Sequence, residues 1–415
     1  MAGLSAAFFL GKHGHHVSLF ERQPELGMGS HAVQFSVGGS SVSGDVPSRM
    51  FNDQLWPELS KLYQEADIKT ENVEPTQSLS DHLRRTYLKF AEGFRPTISS
   101  VVFSGNKARH ILKSLREFRK QAIQDLESSS TTLQLEFDEY LRKRQIDETT
   151  IKQHLYPTLA STVCTCSYAA LNRYPAGILL AALRDLTSAA PLMKTRHGTS
   201  DVVRRLSQHA FDIRCSTSAV DIARSQNGVS VVTRNAGETT RETFEHVIIA
   251  TQANHAIELV DDLRPDESET LKQFEYENVE VSIHTDPSFM PKERSSWATF
   301  NMVNSPQLDS AMCTVWMNQF HSNWKPARPV FQTIMPIEKP RHEIQRITLQ
   351  RPVVTSRSFD AWNRLKMINS ENDRRIWFCG SYAHEGIPLL ESAVASSKNV
   401  AKKIISLTSE NLAPR

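Results

Sequence analysis

The stretch that most constrains the fold is the first 22 residues, MAGLSAAFFLGKHGHHVSLFER. Leu4, Ala7, Phe8 and Gly11 follow helical spacing, and small residues between them allow a helix to lie close to a sheet. The run HVSLFE at residues 16–21 is rich in apolar and β-prone residues and predicts a strand buried on both faces. Helix, tight turn, strand and terminal acid follow in the order of the second half of a Rossmann-type βαβ unit.

Glu21 is the candidate ribose-binding acid of this unit. In a Rossmann fold an acid about 20 residues beyond the glycine-rich turn accepts a hydrogen bond from a ribose hydroxyl. Glu21 stands at about that distance from Gly3, which occupies the place of the third glycine. A solvated acid at a strand end is the alternative, but it explains only Glu21 and not the order of elements around it.

The sequence shows no leading strand and no first two glycines ahead of Gly3. That strand is central in the fold, so its loss would leave buried backbone groups unpaired at about 1–3 kcal/mol each. The backbone amides that bind phosphate at the helix N-terminus would be lost as well. We therefore expect either that the strand is supplied in another way or that nucleotide binding is weak.

Composition excludes several classes of function. Forty-eight Lys and Arg balance 46 Asp and Glu, so the net charge of +2 predicts no nucleic-acid partner. Five scattered cysteines do not form a disulfide framework, and the C-x-C pair Cys164 and Cys166 lacks the further ligands of a metal site. No apolar run reaches the roughly 20 residues of a transmembrane helix. We expect a cytoplasmic protein. We also expect a small hydrophobic molecule as its substrate, and the sequence is compatible both with a monomer and with a homo-oligomer.

Secondary-structure patterns divide the chain into alternating blocks. Nucleotide-fold patterns occur at the start, in the middle and at the end, where the strand RIWFCGS precedes a long helix. Residues 76–195 are rich in helical patterns. We expect one discontinuous domain from residues 1–75, 196–260 and 365–415, and a substrate or cap domain from residues 76–195 and 261–364.

Local signals predict particular turns and caps. The pair Gly38-Gly39 predicts a hairpin over residues 33–42, and Asn227-Gly228 predicts a second one. The segment SDVVRRLSQHAF predicts a helix with Ser200 or Thr199 as its N-cap.

Several segments together resemble a known family. They are AGLSAAFFLGKHGHHVSLFER, DVPSRMFNDQLWPELSKLYQEADI, HGTSDVVRRLSQ, VIIATQANHAIELV, IHTDPSFMPKERSSWATFN, CTVWMN and RIWFCGSYAHEGIPLLESAVASSKNVA. The chain resembles the amine-oxidase-like FAD-dependent oxidoreductases, in particular their subgroup of NAD/FAD-binding proteins, from Ala2 to about Ile405. The resemblance implies an α/β fold with a discontinuous Rossmann-like FAD-binding domain and a second α+β substrate domain, and FAD as the cofactor.

The resemblance also implies where FAD is bound. Glu21 would hold the adenosine ribose, Gly27 and Gly29 would follow the pyrophosphate and ribityl chain, and Val220 would meet the adenine. The last helix would bring its N-terminal residues to the flavin ring and pyrophosphate, in keeping with the positive end of the helix dipole. The implied cofactor-binding residues are Gly3, Glu21, Arg22, Gly27, Gly29, Asp45, Arg49, Val220, Ala250, Thr251, Gly380, Ser381, Gly386 and Ser392.

Candidate catalytic residues are few, because in flavoenzymes the cofactor carries the redox chemistry. His384 is the candidate substrate-facing group. Asp45 has a catalytic and a loop-capping interpretation, and the pair His284 and Asp286 is either a proton relay or a structural hydrogen bond. Trp297, Trp316 and Trp377 are predicted core aromatics rather than a substrate cage.

The sequence therefore favours an FAD-dependent enzyme that oxidises or desaturates a small hydrophobic molecule such as a lipid or a secondary metabolite. Two alternatives stay open. One is a degenerate, cofactor-poor member of the fold that serves as a binding or scaffold subunit. The other is a nicotinamide dehydrogenase, which does not explain why a C-terminal strand, glycine and helix should return to the nucleotide.

Overall fold

The computed structural model describes residues 1–28, 31–37, 40–90, 105–186, 190–304, 309–321 and 328–412. Within these ranges the strands are β1 Ser18–Phe20, β2 His31–Val37, β3 Ser40–Val46, β4 Thr70–Val73, β5 Gln77–Ser80, β6 Thr86–Phe90, β7 Leu192–Thr195, β8 Asp212–Arg214, β9 Ser218–Ser225, β10 Gly228–Asn235, β11 Glu238–Phe244, β12 Val247–Ile249, β13 Glu275–His284, β14 Phe300–Asn304, β15 Ala311–Trp316, β16 Phe331–Ile334, β17 Glu343–Val353 and β18 Ile376–Phe378. The helices are α1 Ala2–Lys12, α2 Pro57–Glu65, α3 Gly105–Glu127, α4 Phe137–Lys143, α5 Glu148–Thr150, α6 Tyr156–Thr158, α7 Tyr168–Asn172, α8 Ala176–Leu186, α9 Gly198–Ser207, α10 Ala253–Leu259, α11 Pro265–Leu271, α12 Met317–Phe320, α13 Ser356–Ile368 and α14 Leu390–Leu412.

The first 22 residues form the predicted helix and strand, but the prediction that the strand is buried on both faces is wrong: β1 is only partly buried, and among the described strands it pairs only with β8. Helix α1 buries almost its whole length, and it packs against α14 through a hydrogen bond of 2.7 Å between the Ser5 and Ser397 hydroxyls. Gly11 is required where α1 meets the loop before β8, because a Cβ at this position would lie 2.3 Å from the His209 carbonyl oxygen. Small residues therefore let α1 approach its neighbours closely, as the sequence indicates.

Two parallel strand pairs flank α1. Strand β1 pairs with β8, and β12 pairs with β18. Side chains of α1, α9, α14 and these strands share one apolar cluster, so the start, middle and end of the chain meet in one core. The two pairs form separate two-stranded sheets. In the described part of the chain, no strand lies between them and joins them by hydrogen bonds.

A seven-stranded sheet with the order β17-β13-β16-β15-β14-β5-β6 forms the second layer. Its pairs are antiparallel except for the parallel pair of β14 with β5. Strands β5 and β6 come from the block 76–195, so this block is not only helical as its sequence pattern suggests.

The helices between residues 105 and 186 cover a second core. Residues 148–164 form a continuous run of α and π turns, and their apolar side chains pack with α4, α7 and α8. Asp125 on α3 lies inside this block, where it accepts a hydrogen bond of 2.8 Å from the Tyr140 hydroxyl and pairs with Arg144. Pairing of the carboxylate offsets the cost of burying it.

Both predicted hairpins are present. Strands β2 and β3 pair from His31–Val46 to Val37–Ser40, while Gly38 and Gly39 lie outside the described residues. Strands β9 and β10 pair from Gly228–Ser225 onward, which places Gln226 and Asn227 in the turn.

A buried ionic network joins α11 to β9 and to the loop before β18. The fully buried Glu267 carboxylate pairs with Arg224 at 2.7 Å and with Arg374, whose side chain is 1% exposed, at 2.9 Å. It also accepts the backbone N–H of Arg264 at 3.0 Å and thereby caps α11. One carboxylate thus compensates two guanidinium groups.

In the ranges that the structure describes, no helix is both long and apolar enough to cross a membrane.

Candidate functional site

A cleft lies between the segment that follows β3, the π turns of residues 159–164 and the inner face of the seven-stranded sheet. It encloses about 1290 Å³ of space, part of it open to solvent. The residues that line it are Met28, Asp45, Pro47, Ser48, Arg49, Met50, Phe51, Trp56, Leu59, Tyr63, Ser161, Thr162, Val163, Thr165, Leu186, Leu192, Thr195, Thr199, Val281, Phe300, Cys313, Val315, Ile334, Leu349, Arg351, Leu389 and Leu390.

Asp45 holds the edge of the cleft through helix α9. Both of its carboxylate oxygens accept the backbone N–H of Thr199, at 2.9 and 3.0 Å. The N-cap position of α9 is His197, so the prediction that Thr199 or Ser200 would be the N-cap is wrong. The first turn is instead capped by an acid more than 150 residues away, which the positive end of the helix dipole stabilises.

The charge of Asp45 is set by two opposing effects. Burial raises the pKa of this carboxyl, and the hydrogen bond from Thr199 lowers it in part. Of the two interpretations of Asp45, this geometry favours the capping role.

We expect that replacing Asp45 with alanine lowers the free energy of unfolding by about 0.5–2 kcal/mol, the usual cost of a lost N-terminal cap. Urea unfolding without added ligand measures the change. Asp45→Asn keeps an acceptor oxygen for Thr199 and should recover part of the loss, and the exposed Asp53→Ala serves as the control. Equal stability of the Asp45→Ala and Asp53→Ala variants would contradict the assignment.

Two arginines face the cleft from opposite sides. Arg49 follows β3, and Arg351 lies on the face of β17 that also carries Ile347 and Leu349. Burial lowers the pKa of Arg49 to about 10, and the positive charge of Arg351 contributes to the same shift. Burial also lowers the pKa of Arg351, an effect that the nearby Tyr174, Cys164 and Cys166 partly oppose.

Arg351 forms no ion pair with any residue that the structure describes, and its Nε has no hydrogen-bond partner among them. Glu277 stands opposite Arg351 in the β13–β17 register. The Glu277 carboxylate is already held by Ser167, which donates its backbone N–H at 2.9 Å and its hydroxyl at 2.6 Å. The Arg351 guanidinium therefore faces the cleft without a carboxylate of its own.

The elements of the predicted nucleotide site come together beside the cleft. A Cβ on Gly3 would lie 3.3 Å from that of Ala250, and a Cβ on Gly380 would lie 3.4 Å from the Thr251 carbonyl oxygen. The Ser396 hydroxyl of α14 receives the Gly380 N–H at 3.1 Å and donates to the Gly380 carbonyl oxygen at 2.9 Å.

Glu21 ends β1 next to the start of β9. Its carbonyl oxygen accepts the Thr217 N–H at 2.8 Å, which brings β9 and therefore Val220 close to Glu21. One Glu21 carboxylate oxygen accepts the Gln23 N–H at 2.9 Å. The other makes no hydrogen bond within the described ranges, so it is available to a ligand.

The remaining predicted cofactor residues differ in their surroundings. Arg22 is exposed, Gly27 is partly buried next to the cleft residue Met28, and Gly29 lies outside the described residues. Ser381 is partly buried directly after Gly380. Gly386 has a φ of +113° and open space around it. The buried hydroxyl of Ser392 donates to the Ile387 carbonyl oxygen at 3.0 Å.

His384 does not line the cleft. Its Nδ1 lies 2.9 Å from the carbonyl oxygen of the next residue, Glu385. Its predicted role toward a substrate therefore has no support from the cleft geometry and stays a prediction.

His284 and Asp286 form a structural arrangement. The His284 Nδ1 accepts the Asp286 backbone N–H at 3.1 Å, and its Nε2 lies 2.7 Å from the Thr333 hydroxyl. The Asp286 carboxylate accepts the N–H groups of Ser288 and Arg341. The two side chains do not pair with each other, which favours the structural alternative over a proton relay.

The predicted core tryptophans do not line the cleft. Trp377 is fully buried, and Trp297 and Trp316 pack edge to face at 5.4 Å. Trp56, which the sequence did not single out, lies in the cleft wall. Tyr63 and Arg351 were also missed. Arg351 could have been found from the alternation of side chains along its strand, because residues 347, 349 and 351 point to the same face and the first two are apolar.

Comparison with known proteins places the chain in a family. The model of the family described as flavin containing amine oxidoreductase matches residues 1–329. No curated protein matches the chain in sequence.

Three solved structures share the fold over nearly the whole chain. Cyclohexylamine oxidase from Brevibacterium oxydans is 12% identical with a TM-score of 0.65, and the match covers 98% of this chain and 97% of that one. A fatty acid isomerase from P. acnes that produces CLA is 14% identical with a TM-score of 0.65, over 97% and 96%. Putrescine oxidase bound to putrescine is 14% identical with a TM-score of 0.61, over 98% and 97%.

At these identities the structural matches establish the fold alone, and they confirm the expected amine-oxidase-type α/β fold. The family model covers well over half of the chain and agrees with the meeting of Gly3, Ala250, Thr251 and Gly380 beside one cleft. The protein thus belongs to the flavin-containing amine oxidoreductase family and is an FAD-dependent oxidoreductase.

Proposed function

We propose that FAD is held by a discontinuous domain of residues 1–75, 196–260 and 365–415, with residues 76–195 and 261–364 forming the substrate domain. The support is the proximity of Gly3 and Gly380 to Ala250 and Thr251, and the hydrogen bonds of Gly380 to Ser396 of α14, whose first residue Leu390 lines the cleft. FAD fits this place because Glu21 offers an unused carboxylate oxygen to a ribose, and because the small residues Gly3 and Gly380 let the start of α1 and the end of β18 lie close to Ala250 and Thr251.

We expect that Glu21→Gln weakens FAD binding by about 10- to 100-fold, since a hydrogen bond to a charged group is worth about 1.5–3 kcal/mol. Fluorescence titration of the flavin-free full chain with FAD measures the dissociation constant. Glu25→Gln, an exposed acid four residues further on, is the matched control and should leave the affinity unchanged. Equal affinities of the two variants would remove Glu21 from the site.

We further propose that the substrate is a small hydrophobic molecule, such as a lipid or a secondary metabolite, which is oxidised or desaturated in the cleft. The observation that carries this proposal is the set of apolar side chains that the seven-stranded sheet contributes to the cleft, namely Val281, Phe300, Val315, Ile334 and Leu349. Bound FAD supplies the electron-accepting chemistry. The chain's own contribution is to bury the apolar substrate, to exclude water and to place the Arg49 charge at the cofactor side of the cleft.

Anaerobic mixing of the flavin-loaded protein with candidate compounds tests this proposal. We expect long-chain aliphatic compounds to bleach the flavin absorbance, and we expect the short polar diamine putrescine to leave it unchanged. Bleaching by putrescine and by none of the aliphatic compounds would contradict a hydrophobic substrate.

A further inference from the structure

We infer that the substrate of this cleft is an apolar carboxylic acid whose carboxylate pairs with Arg351. This inference deepens the proposed function and rests on it. The inferred substrate has an anionic head group. In contrast, two of the structural neighbours, cyclohexylamine oxidase and putrescine oxidase, are named after amines.

The first support is the unmatched charge of Arg351. Arg351 is half-buried with its Nε shielded from solvent, and a guanidinium in such a place is costly unless a carboxylate or a set of acceptors compensates it. Arg351 has neither among the residues that the structure describes, since its Nε has no partner and Ser167 holds the opposing Glu277 carboxylate. The planar guanidinium matches a carboxylate with two parallel hydrogen bonds. A carboxylate ligand would therefore supply the missing partner.

The second support is the sign of the charge inside the cleft. Arg49 and Arg351 face the same space and are close enough that the charge of Arg351 lowers the pKa of Arg49. Asp45, the one carboxylate among the described lining residues, accepts the Thr199 N–H through both oxygens, and its charge and that of Arg49 shift each other's pKa. Arg49 therefore has a carboxylate nearby and Arg351 has none, so the described lining carries a net positive charge that disfavours a cation.

The third support is the surface next to Arg351. Leu349 adjoins it on the same face of β17, and Val281, Ile334 and Cys313 continue the lining. Burial raises the pKa of the Cys313 thiol to about 12, so this side chain is neutral. The single guanidinium of Arg351 beside this apolar surface fits an amphipathic acid better than a fully neutral or a doubly charged compound.

Binding of three ten-carbon probes to the flavin-loaded full chain tests the inference. Decanoate, decanol and decylamine share a ten-carbon chain and differ in the head group, which is negative, neutral or positive, and intrinsic tryptophan fluorescence, to which Trp56 in the cleft wall contributes, reports binding without use of the flavin. We expect decanoate to bind the wild-type protein more tightly than decylamine. We expect Arg351→Gln to weaken decanoate by about 30-fold or more, the lower limit for removing one partner of a buried charge pair, and to leave decanol unchanged. Arg351→Lys should restore part of the affinity.

Arg346→Gln is the matched control, because Arg346 lies on the same strand and pairs with Glu343 and Glu280. The inference is overturned if decylamine binds the wild type as tightly as decanoate, a comparison that needs no variant to fold. It is also overturned if Arg351→Gln binds decanoate normally, or if it loses its FAD, which would assign Arg351 to the cofactor. Absence of FAD from the wild type would instead refute the proposed function, while decanoate binding would still be read from tryptophan.

Discussion

Replacing Glu267 with glutamine is expected to lower the free energy of unfolding by about 3–5 kcal/mol, because it leaves a buried positive charge without its partner. Glu267 is fully buried and pairs with Arg374, whose side chain is 1% exposed. Both of its carboxylate oxygens also accept hydrogen bonds from one terminal nitrogen of Arg224, Nη2, at 2.7 and 2.9 Å. A neutral amide keeps the shape of the side chain but not its charge.

Thermal and urea unfolding of the full chain measure this effect. Glu269→Gln is the matched control, since Glu269 is on the same helix with a side chain that is 70% exposed and lies 3.8 Å from Arg364. Surface pairs of this kind contribute about 0–1 kcal/mol. Equal unfolding curves for the two variants would show that the Glu267 network does not stabilise the fold.

The second large effect is loss of stability in acid, to which His284 contributes about 3 kcal/mol. Burial lowers the pKa of His284 from 6.5 to about 4, in spite of the opposing charges of Asp286 and Glu343. Between these two values the unfolded chain binds the proton and the folded protein does not. The stabilisation of the folded protein by neutral His284 is therefore complete above pH 6.5. It decreases as the pH falls from 6.5 to about 4 and does not change further below that pH.

The hydrogen bonds of His284 explain this preference for the neutral ring. Its Nδ1 accepts the Asp286 N–H, so a proton on this nitrogen would place two donors against each other. Burial lowers the pKa of His154 and His321 to about 4 as well, which steepens the same transition.

Urea unfolding at several pH values between 7 and 4 measures the effect of His284. We expect His284→Asn to be less stable at pH 7 and to lose less stability toward acid than the wild type. The exposed His82→Asn should keep the wild-type dependence. An identical decrease in stability for His284→Asn and the wild type would contradict the assignment.

Much of the fold follows from local sequence patterns. The helix and strand of the first 22 residues, both hairpins and the strand and helix at the end are all present, because their patterns extend over several neighbouring residues. Strands β5 and β6 were not predicted. They are short, and their stability depends on pairing with distant strands such as β14, which no local pattern shows.

The site was less predictable for the same reason. The role of Asp45 depends on Thr199, more than 150 residues further on, and a local search for a cap could only choose between Thr199 and Ser200. Arg351 lies in a strand with several charged residues, so its position in the sequence does not show that it faces the cleft. That becomes clear only in the folded protein, where Arg351 and Leu349 line the cleft together. The ribose acid Glu21 and the glycines Gly3 and Gly380 were accessible to prediction because their motifs carry the spacing of the nucleotide fold.

Binding of FAD by this chain is tested by the absorption spectrum of the purified full chain, recorded after incubation with FAD and removal of free cofactor by gel filtration. We expect the visible spectrum of a bound flavin at about one FAD per chain, with a reduced amount in the Glu21→Gln variant and an unchanged amount in Glu25→Gln. A folded wild-type protein that retains no flavin after this treatment would contradict this expectation.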